Sequence, residues 1–250
     1  MVGISSLAMI FGSILIRLAQ IYLFGMTSFS YSPFESYLGS GTEYEFLFAA
    51  TAFAVMPALS DELVFRTVML TEYNEGGYGG INATLITALL SSFLFFTPES
   101  FPIRFLCGIL LGMVTYATGS SLAALFSHLI FNIYAVFGEK YILRAMSDPS
   151  NKIIGIFTFT VLFLVILFIC FGELEHSLRR MGQAGVPSPS YLLKKTDDGE
   201  TPDVAATEKE EEGGNAKALS ERSRMTIEAM FSPTLLICII LYLVTIFGFI

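Results

Sequence analysis

Three ionisable side chains, Asp61, Glu62 and Arg66, interrupt an apolar stretch that runs from residue 44 to residue 70. A charge at membrane depth costs about 2.5–3.5 kcal/mol on insertion scales, so charges there are rare and usually functional. On a helix, Glu62 and Arg66 lie one turn apart on the same face, which favours an ion pair. A carboxylate in such a place could act as a general base toward water. The alternative is that these residues mark a helix end in the headgroup region.

A second pair of polar residues, His128 and Asn132, lies inside another apolar stretch, residues 122–137. Their spacing of four places both side chains on one helix face. Each can donate a hydrogen bond to a developing oxyanion, and each needs a partner when it is buried. The pair is therefore compatible with catalysis. Taken alone, it fits a hydrogen-bonded contact between helices in the core somewhat better.

The composition predicts that these motifs lie in a membrane. Of the 250 residues, 54% are hydrophobic and 14% are charged, whereas a soluble domain has roughly 25% charged residues. Several apolar stretches approach or exceed the ~17–25 residues that cross a bilayer as a helix. We therefore predict an all-α fold, a polytopic transmembrane helix bundle of about seven spans. These spans are residues 2–24, 44–70, 81–96, 105–118, 122–137, 153–171 and 234–250.

The charge distribution predicts the division of the chain. Twelve of the 22 acidic residues lie between Glu173 and Glu228, in a composition that cannot bury enough apolar surface to fold alone. We predict a transmembrane bundle over residues 1–172, a flexible hydrophilic loop over 173–230 and a C-terminal transmembrane helix over 231–250. The net charge of −8 makes nucleic acid an improbable partner.

Small residues and cysteines give further expectations. Gly108 and Gly112 form a small-xxx-small pattern, which lets helices approach closely and favours packing inside the bundle over dimerisation. Cys107, Cys170 and Cys238 lie in apolar stretches without the spacing of a zinc site or a disulfide framework. We expect neither a metal nor a cofactor.

Taken in order, these motifs resemble those of a known family. The acid-Glu-x-x-x-Arg turn is followed by a span that ends in a Phe-rich stretch, then by Gly108-x-x-x-Gly112, by Thr118-Gly-Ser-Ser-Leu122 and by His128-x-x-x-Asn132. This order resembles the CPBP family, named for CAAX proteases and bacteriocin-processing enzymes, which includes the type II CAAX prenyl endopeptidases. The similarity covers about residues 54–137 and is most specific from Gly108 to Asn132.

The resemblance implies a helix bundle around a polar cavity, and cleavage after the prenylated cysteine of a CAAX tail. By the same resemblance, Glu62 activates the hydrolytic water and Arg66 holds the acidic turn. His128 and Asn132 stabilise the tetrahedral oxyanion. Asp61 stands where the family usually has glutamate, a change that keeps the charge.

One motif departs from the family pattern, because the histidine of its Phe-x-x-x-His motif is missing. Alignment on Phe93 places Thr97 at the histidine position, and alignment on Phe95 places Glu99 there. Thr97 can hydrogen-bond a water but cannot serve as a base near neutral pH, whereas Glu99 can. Loss of a general acid–base partner typically costs about 10²–10⁴-fold in rate.

Two functional hypotheses follow. The first is an intramembrane CAAX-type endopeptidase whose partners are membrane lipid and a prenylated or otherwise hydrophobic protein tail. The second is a catalytically inactive family member that acts as a scaffold or subunit with other membrane proteins. A transporter has less support, since the sequence shows no inverted repeat. We expect a multi-pass protein of the endoplasmic reticulum or another organelle membrane in a eukaryote, and of the plasma membrane in a prokaryote.

Overall fold

The computed structural model describes residues 1–24, 42–94, 99–146 and 152–183, together with 237, 239–241, 243 and 244. These ranges contain six long helices and no strand, so the predicted all-α bundle is confirmed. The helices are α1 (Val2–Phe24), α2 (Glu43–Tyr78), α3 (Gly80–Phe93), α4 (Phe101–Thr118), α5 (Ser121–Met146) and α6 (Lys152–Gln183).

Five of these helices, all except α3, are long and apolar enough to cross a membrane. Helix α3 is apolar but shorter, with 14 residues, and corresponds to the third predicted span. Helix α6 exposes many large apolar side chains, as a lipid-facing helix does, and it continues as far as Gln183 into the segment predicted to be hydrophilic. Residues 184–230 and most of the predicted C-terminal span lie outside the described residues. The chain is an integral membrane protein.

Helix α2 carries the acidic turn and departs from regular α geometry in three places. Its segments Ala50–Val55 and Glu62–Met69 are π-helical, and its last turn, Asn74–Tyr78, is kinked at Gly77, whose φ of 93° is not helical. The first lies directly before Pro57, whose ring removes a backbone donor and clashes with the preceding turn. The second contains both Glu62 and Arg66. Such π turns within α-helices are frequent at functional sites.

Helices α3 and α4 pack face to face through the predicted small-residue pattern. A Cβ atom on Gly108 would lie 2.8 Å from the Cβ of Ala88, and one on Gly112 would lie 2.6 Å from the Cγ2 of Thr84. Real Cβ contacts essentially never approach this closely. The two glycines therefore serve packing inside the bundle, as predicted.

Helix α1 completes the core from the other side. Its Ala8 and Met9 join a buried apolar cluster with residues of α4, α5 and α6: Ile103, Cys107, Leu110, Leu111, Ala124, Phe131 and Cys170. The Ser5 and Ser127 hydroxyl oxygens lie 2.9 Å apart between α1 and α5. Both hydroxyls also bond to carbonyls of their own helices, so this contact adds a polar link between α1 and α5.

A buried ion pair joins the far ends of the same two helices. Arg17 on α1 donates from Nε to Oε1 of Glu139 on α5, at 3.1 Å, and both side chains are buried. Neither residue belongs to a motif that sequence analysis singled out. We call this pair the α1–α5 ion pair.

Candidate active site

Glu62 lies at the centre of a buried polar cluster that joins α2 to α5. Its Oε1 lies 2.8 Å from Nδ1 of His128, and its Oε2 lies 3.4 Å from Nε of Arg66. The exposed fractions of Glu62, Arg66 and His128 are 2, 3 and 8%. Two motifs that are 66 residues apart in the chain therefore meet inside the bundle.

The contact at Nδ1 assigns roles to the two imidazole nitrogens of His128. When Glu62 is ionised, its carboxylate can only accept hydrogen bonds, so the Nδ1–H of His128 donates a hydrogen bond to Oε1 of Glu62. The other nitrogen, Nε2, is then left for the cavity that His128 lines. There Nε2 accepts a proton in the neutral ring and donates one in the imidazolium.

Arg66 connects the acidic turn to the backbone of α4. Its Nη2 donates to the carbonyl oxygen of Gly108 at 3.2 Å. Its Nε and the Oε2 of Glu62 are close enough for an ion pair, although the two atoms lack hydrogen-bond geometry toward any described group. The opposite charges of Arg66 and Glu62 therefore attract each other without a directed hydrogen bond. The hydrogen bond to the Gly108 carbonyl fixes the position of the guanidinium group.

A cavity of about 270 Å³ lies beside this cluster, and Asp61 is the acidic residue among those that line it. This volume is just below the range of about 300–1,000 Å³ that is typical of small-molecule sites. It admits a short extended segment or one apolar chain. The other lining residues are mostly apolar: Phe53, Pro57, Ile103, Cys107, Gly108, Leu111, Phe131, Ala135 and Val136, with the polar Arg66, Ser91, Arg104, His128 and Asn132.

Asn132 follows His128 by one helical turn and lines the same cavity. Its Nδ2 donates to the carbonyl oxygen of Ala54 at 3.1 Å. That bond orients the carboxamide and ties α5 to the first π-helical turn of α2. The amide group has two N–H donors, so one remains for a ligand.

In the described part of the chain, no group of three or more His, Cys, Asp or Glu side chains is arranged to hold a metal ion. Cys107 and Cys170 are buried and free, whereas Cys238 lies outside the described residues. The cluster offers carboxylates, an imidazole and a carboxamide around one cavity. These groups can carry out acid–base chemistry on a substrate carbonyl.

Residues 43–134 match the family model described as type II CAAX prenyl endopeptidase Rce1-like. We call this matched stretch, residues 43–134, the Rce1-like core. The match covers a little over a third of the chain and confirms the resemblance predicted from the motifs. No curated protein and no solved structure matches the chain. At the family level, the chain is a CAAX-protease-like integral membrane protein.

The second motif of the Rce1-like core is where the structure and the family pattern differ. Thr97 lies outside the described residues. Glu99 is exposed before α4, its backbone carbonyl accepts a hydrogen bond from Nε2 of Gln20 at 2.7 Å, and it does not line the cavity. The residue of α3 that lines the cavity is Ser91, whose hydroxyl donates to the carbonyl of Ala88 at 2.9 Å.

Sequence reasoning missed Arg104, a half-buried cation in the first turn of α4 that lines the cavity of the Rce1-like core. The available signal was a single charge between Pro102 and an apolar stretch. It was weak, because one arginine near a predicted helix start also fits a residue that reaches the headgroup region.

Proposed function

We propose that the chain is an intramembrane endopeptidase that hydrolyses a peptide bond near the end of a prenylated or otherwise hydrophobic protein tail. The observation that carries the proposal is the 2.8 Å contact between Glu62 and His128 at the wall of a cavity that Asp61 and Asn132 also line. The Rce1-like match supports the substrate class.

In this proposal Asp61 is the general base. The resemblance gave that role to Glu62, but both carboxylate oxygens of Glu62 already face Arg66 and His128. Asp61 lies one residue earlier and lines the cavity. Its carboxylate takes a proton from a water as the water oxygen attacks the scissile carbonyl carbon.

His128 and Asn132 stabilise the negative charge that forms on the carbonyl oxygen. In the imidazolium form of His128, Nδ1–H donates to Glu62 and Nε2–H donates to the carbonyl oxygen of the substrate. The second N–H of the Asn132 amide supplies a further donor. When the intermediate collapses, the C–N bond breaks, and the proton held by Asp61 passes to the leaving amine.

The shape and lining of the cavity fit a hydrophobic tail. A short peptide segment or one apolar chain is of the size that this volume admits, whereas a folded domain is far too large. Side chains such as Phe53, Phe131 and Val136 offer apolar contacts. The polar groups converge at Asp61 and His128, where the peptide bond would lie.

The test is hydrolysis of an S-farnesyl CAAX peptide by the full chain purified into lipid nanodiscs. We expect release of the C-terminal tripeptide, and we expect Asp61→Asn to lower kcat/KM by about 10²–10⁴-fold. Ser60→Ala is the matched control, because the Ser60 hydroxyl is exposed and bonds only to the nearby carbonyl of Pro57. Equal turnover by wild type and Asp61→Asn would remove Asp61 from the mechanism.

A second candidate function, a non-catalytic membrane scaffold, is favoured by one observation. No histidine lies between Glu62 and His128, so the acid–base partner of the family's second motif is missing. Absence of tripeptide release by a folded wild-type protein, together with a stable complex in mild detergent, would favour the scaffold over the endopeptidase.

A further inference from the structure

The mechanism proposed above leaves one charged residue of the cavity wall without a role, Arg104. It lies in the first turn of α4, is half-buried, and shares the cavity with Asp61 and His128. Much of the surrounding wall is apolar and includes Ile103 and Leu111. A cation held at membrane depth is costly, and such cations usually take part in function.

The cavity wall carries two arginines, Arg66 and Arg104, and one carboxylate, Asp61. Arg66 lies against Glu62 and also bonds to the carbonyl of Gly108, so its position is set by the protein. Arg104 shares the cavity with Asp61, and the two charges act on each other. Of the two guanidinium groups, that of Arg104 is on the more accessible side chain, because Arg66 is almost fully buried.

A guanidinium group is well suited to one feature of a protein tail, its terminal carboxylate. Its planar N–H donors match the two oxygens of a carboxylate and form short, charge-assisted hydrogen bonds. The cavity is small, so a segment that enters it with its peptide bond near His128 has its end only a few residues away. A chain terminus brings the one negative charge that every protein tail carries.

We propose that Arg104 binds the terminal carboxylate of the substrate tail and thereby restricts the site to free C-termini. This inference rests on the proposed function, which it deepens by naming a specificity-determining residue. Arg104 would select the chain end, while the apolar wall accepts the hydrophobic part of the tail. Internal hydrophobic segments, which lack a carboxylate at that distance, would bind weakly.

The competing explanation is that Arg104 only balances the charge of Asp61. The two explanations differ in whether wild type prefers a ligand that ends in a carboxylate. If Arg104 only balances Asp61, the two charges offset each other and wild type binds acid and amide alike. If Arg104 binds the terminal carboxylate, wild type prefers the acid and loses that preference when Arg104 is replaced by an uncharged residue.

The experiment measures binding of an uncleavable S-farnesyl peptide, with a ketomethylene group in place of the scissile amide, to the full chain in nanodiscs. Two forms of this probe are compared, one ending in a free carboxylate and one ending in a carboxamide. We expect wild type to bind the acid about 10- to 100-fold more tightly, the range that a charged hydrogen bond contributes. In Arg104→Met the acid should bind only as tightly as the amide, and Arg104→Lys should retain part of the preference.

The matched control is Arg179→Met on α6, which removes an exposed arginine paired with Glu175; it should leave both affinities unchanged. Equal binding of acid and amide by wild type, including no measurable binding of either, would overturn the proposal. So would an equal weakening of both probes by Arg104→Met. Because binding is measured without turnover, a wild type that prefers the acid but does not cleave would refute the endopeptidase and leave the carboxylate site standing.

Discussion

Within the described residues, charge is buried at two places, and one of them borders the cavity that Asp61 and His128 line. The α1–α5 ion pair holds Arg17 and Glu139 with exposed fractions of 1 and 6%, as deeply as Glu62 and Arg66 are held. Yet neither Arg17 nor Glu139 lines the cavity beside the cluster of Glu62, Arg66 and His128, which we call the candidate active-site cluster. Glu62, by contrast, contacts a histidine that does.

The comparison indicates that buried charge alone is not enough to select a candidate functional site in this molecule. The α1–α5 ion pair only links two helices. In the candidate active-site cluster, Glu62 pairs with Arg66 and also contacts the imidazole of His128, whose second nitrogen is left for a ligand. Equivalent glutamate-to-glutamine substitutions in the two regions should therefore separate activity from stability.

Of the substitutions that compare the two regions, Glu62→Gln should have the largest effect on activity, a loss of about 10²–10⁴-fold in kcat/KM toward the farnesylated peptide, the same range as for Asp61→Asn. The glutamine keeps an oxygen near Nδ1 of His128 but removes the charge that supports an imidazolium. The measurement is tripeptide release normalised to folded protein in nanodiscs. Retention of more than a tenth of wild-type activity would mean that His128 does not depend on Glu62.

Glu139→Gln should instead lower stability and leave activity nearly unchanged. The free energy of unfolding should fall by about 3–5 kcal/mol, because Arg17 stays buried without the carboxylate of Glu139. Activity per folded molecule should stay within about twofold, as Glu139 lies outside the cavity wall. Unfolding by SDS in mixed micelles gives the first quantity, and the peptide assay gives the second.

The double variant Arg17→Met with Glu139→Met provides the control for Glu139→Gln. Replacing a buried ion pair by apolar residues of similar volume is often neutral or stabilising, so the pair of changes should recover most of the stability lost in Glu139→Gln. A double variant less stable than the single one would show that Arg17 contributes mainly through contacts other than Glu139.

Gly108→Ala should lower the free energy of unfolding by about 1–3 kcal/mol, because the new methyl group would lie 2.9 Å from the Cα of Ala88 and force α3 and α4 apart. It should also reduce activity, since the Gly108 carbonyl holds Arg66. Gly172→Ala is the control, as nothing lies within 4 Å of a Cβ there. Equal stability of the two variants would contradict the close packing of α3 on α4.

Ser127→Ala should have the smallest effect, about 0.6 kcal/mol, the average for a hydrogen bond between membrane helices. The change removes the contact with Ser5 across α1 and α5. The SDS titration used for Glu139→Gln measures it, with Ser60→Ala as the exposed-serine control. A loss above about 2 kcal/mol would indicate that the serine contact organises the interface rather than merely satisfying its polar groups.

Much of the fold could be predicted from the sequence, because continuous apolar stretches and their interruptions report helix positions directly. The packing role of Gly108 and Gly112 was predictable, because small residues spaced by four let membrane helices approach closely, although the pattern did not identify α3 as the partner. Spacing also placed His128 and Asn132 on one face, and the structure places both in the cavity wall.

The finer assignments at the site could not be predicted. Spacing within α2 does not tell which of two adjacent carboxylates faces the cavity, and the π-helical turn that begins at Glu62 shifts the side chains from α-helical positions. The α1–α5 ion pair joins residues that are 122 positions apart, and neither residue belongs to a recognisable sequence motif. Only the packing of α1 brings them together.

Helix α1 lies outside the stretch that matches the family, yet it packs into the core of that stretch. The matched stretch begins at residue 43, yet Ala8 and Met9 fill the centre of its interior, and Ser5 contacts Ser127 within it. A shortened protein containing only the matched residues would present a vacant groove where the first helix belongs. The stretch that matches the family is therefore shorter than the stretch needed to fold as a stable unit.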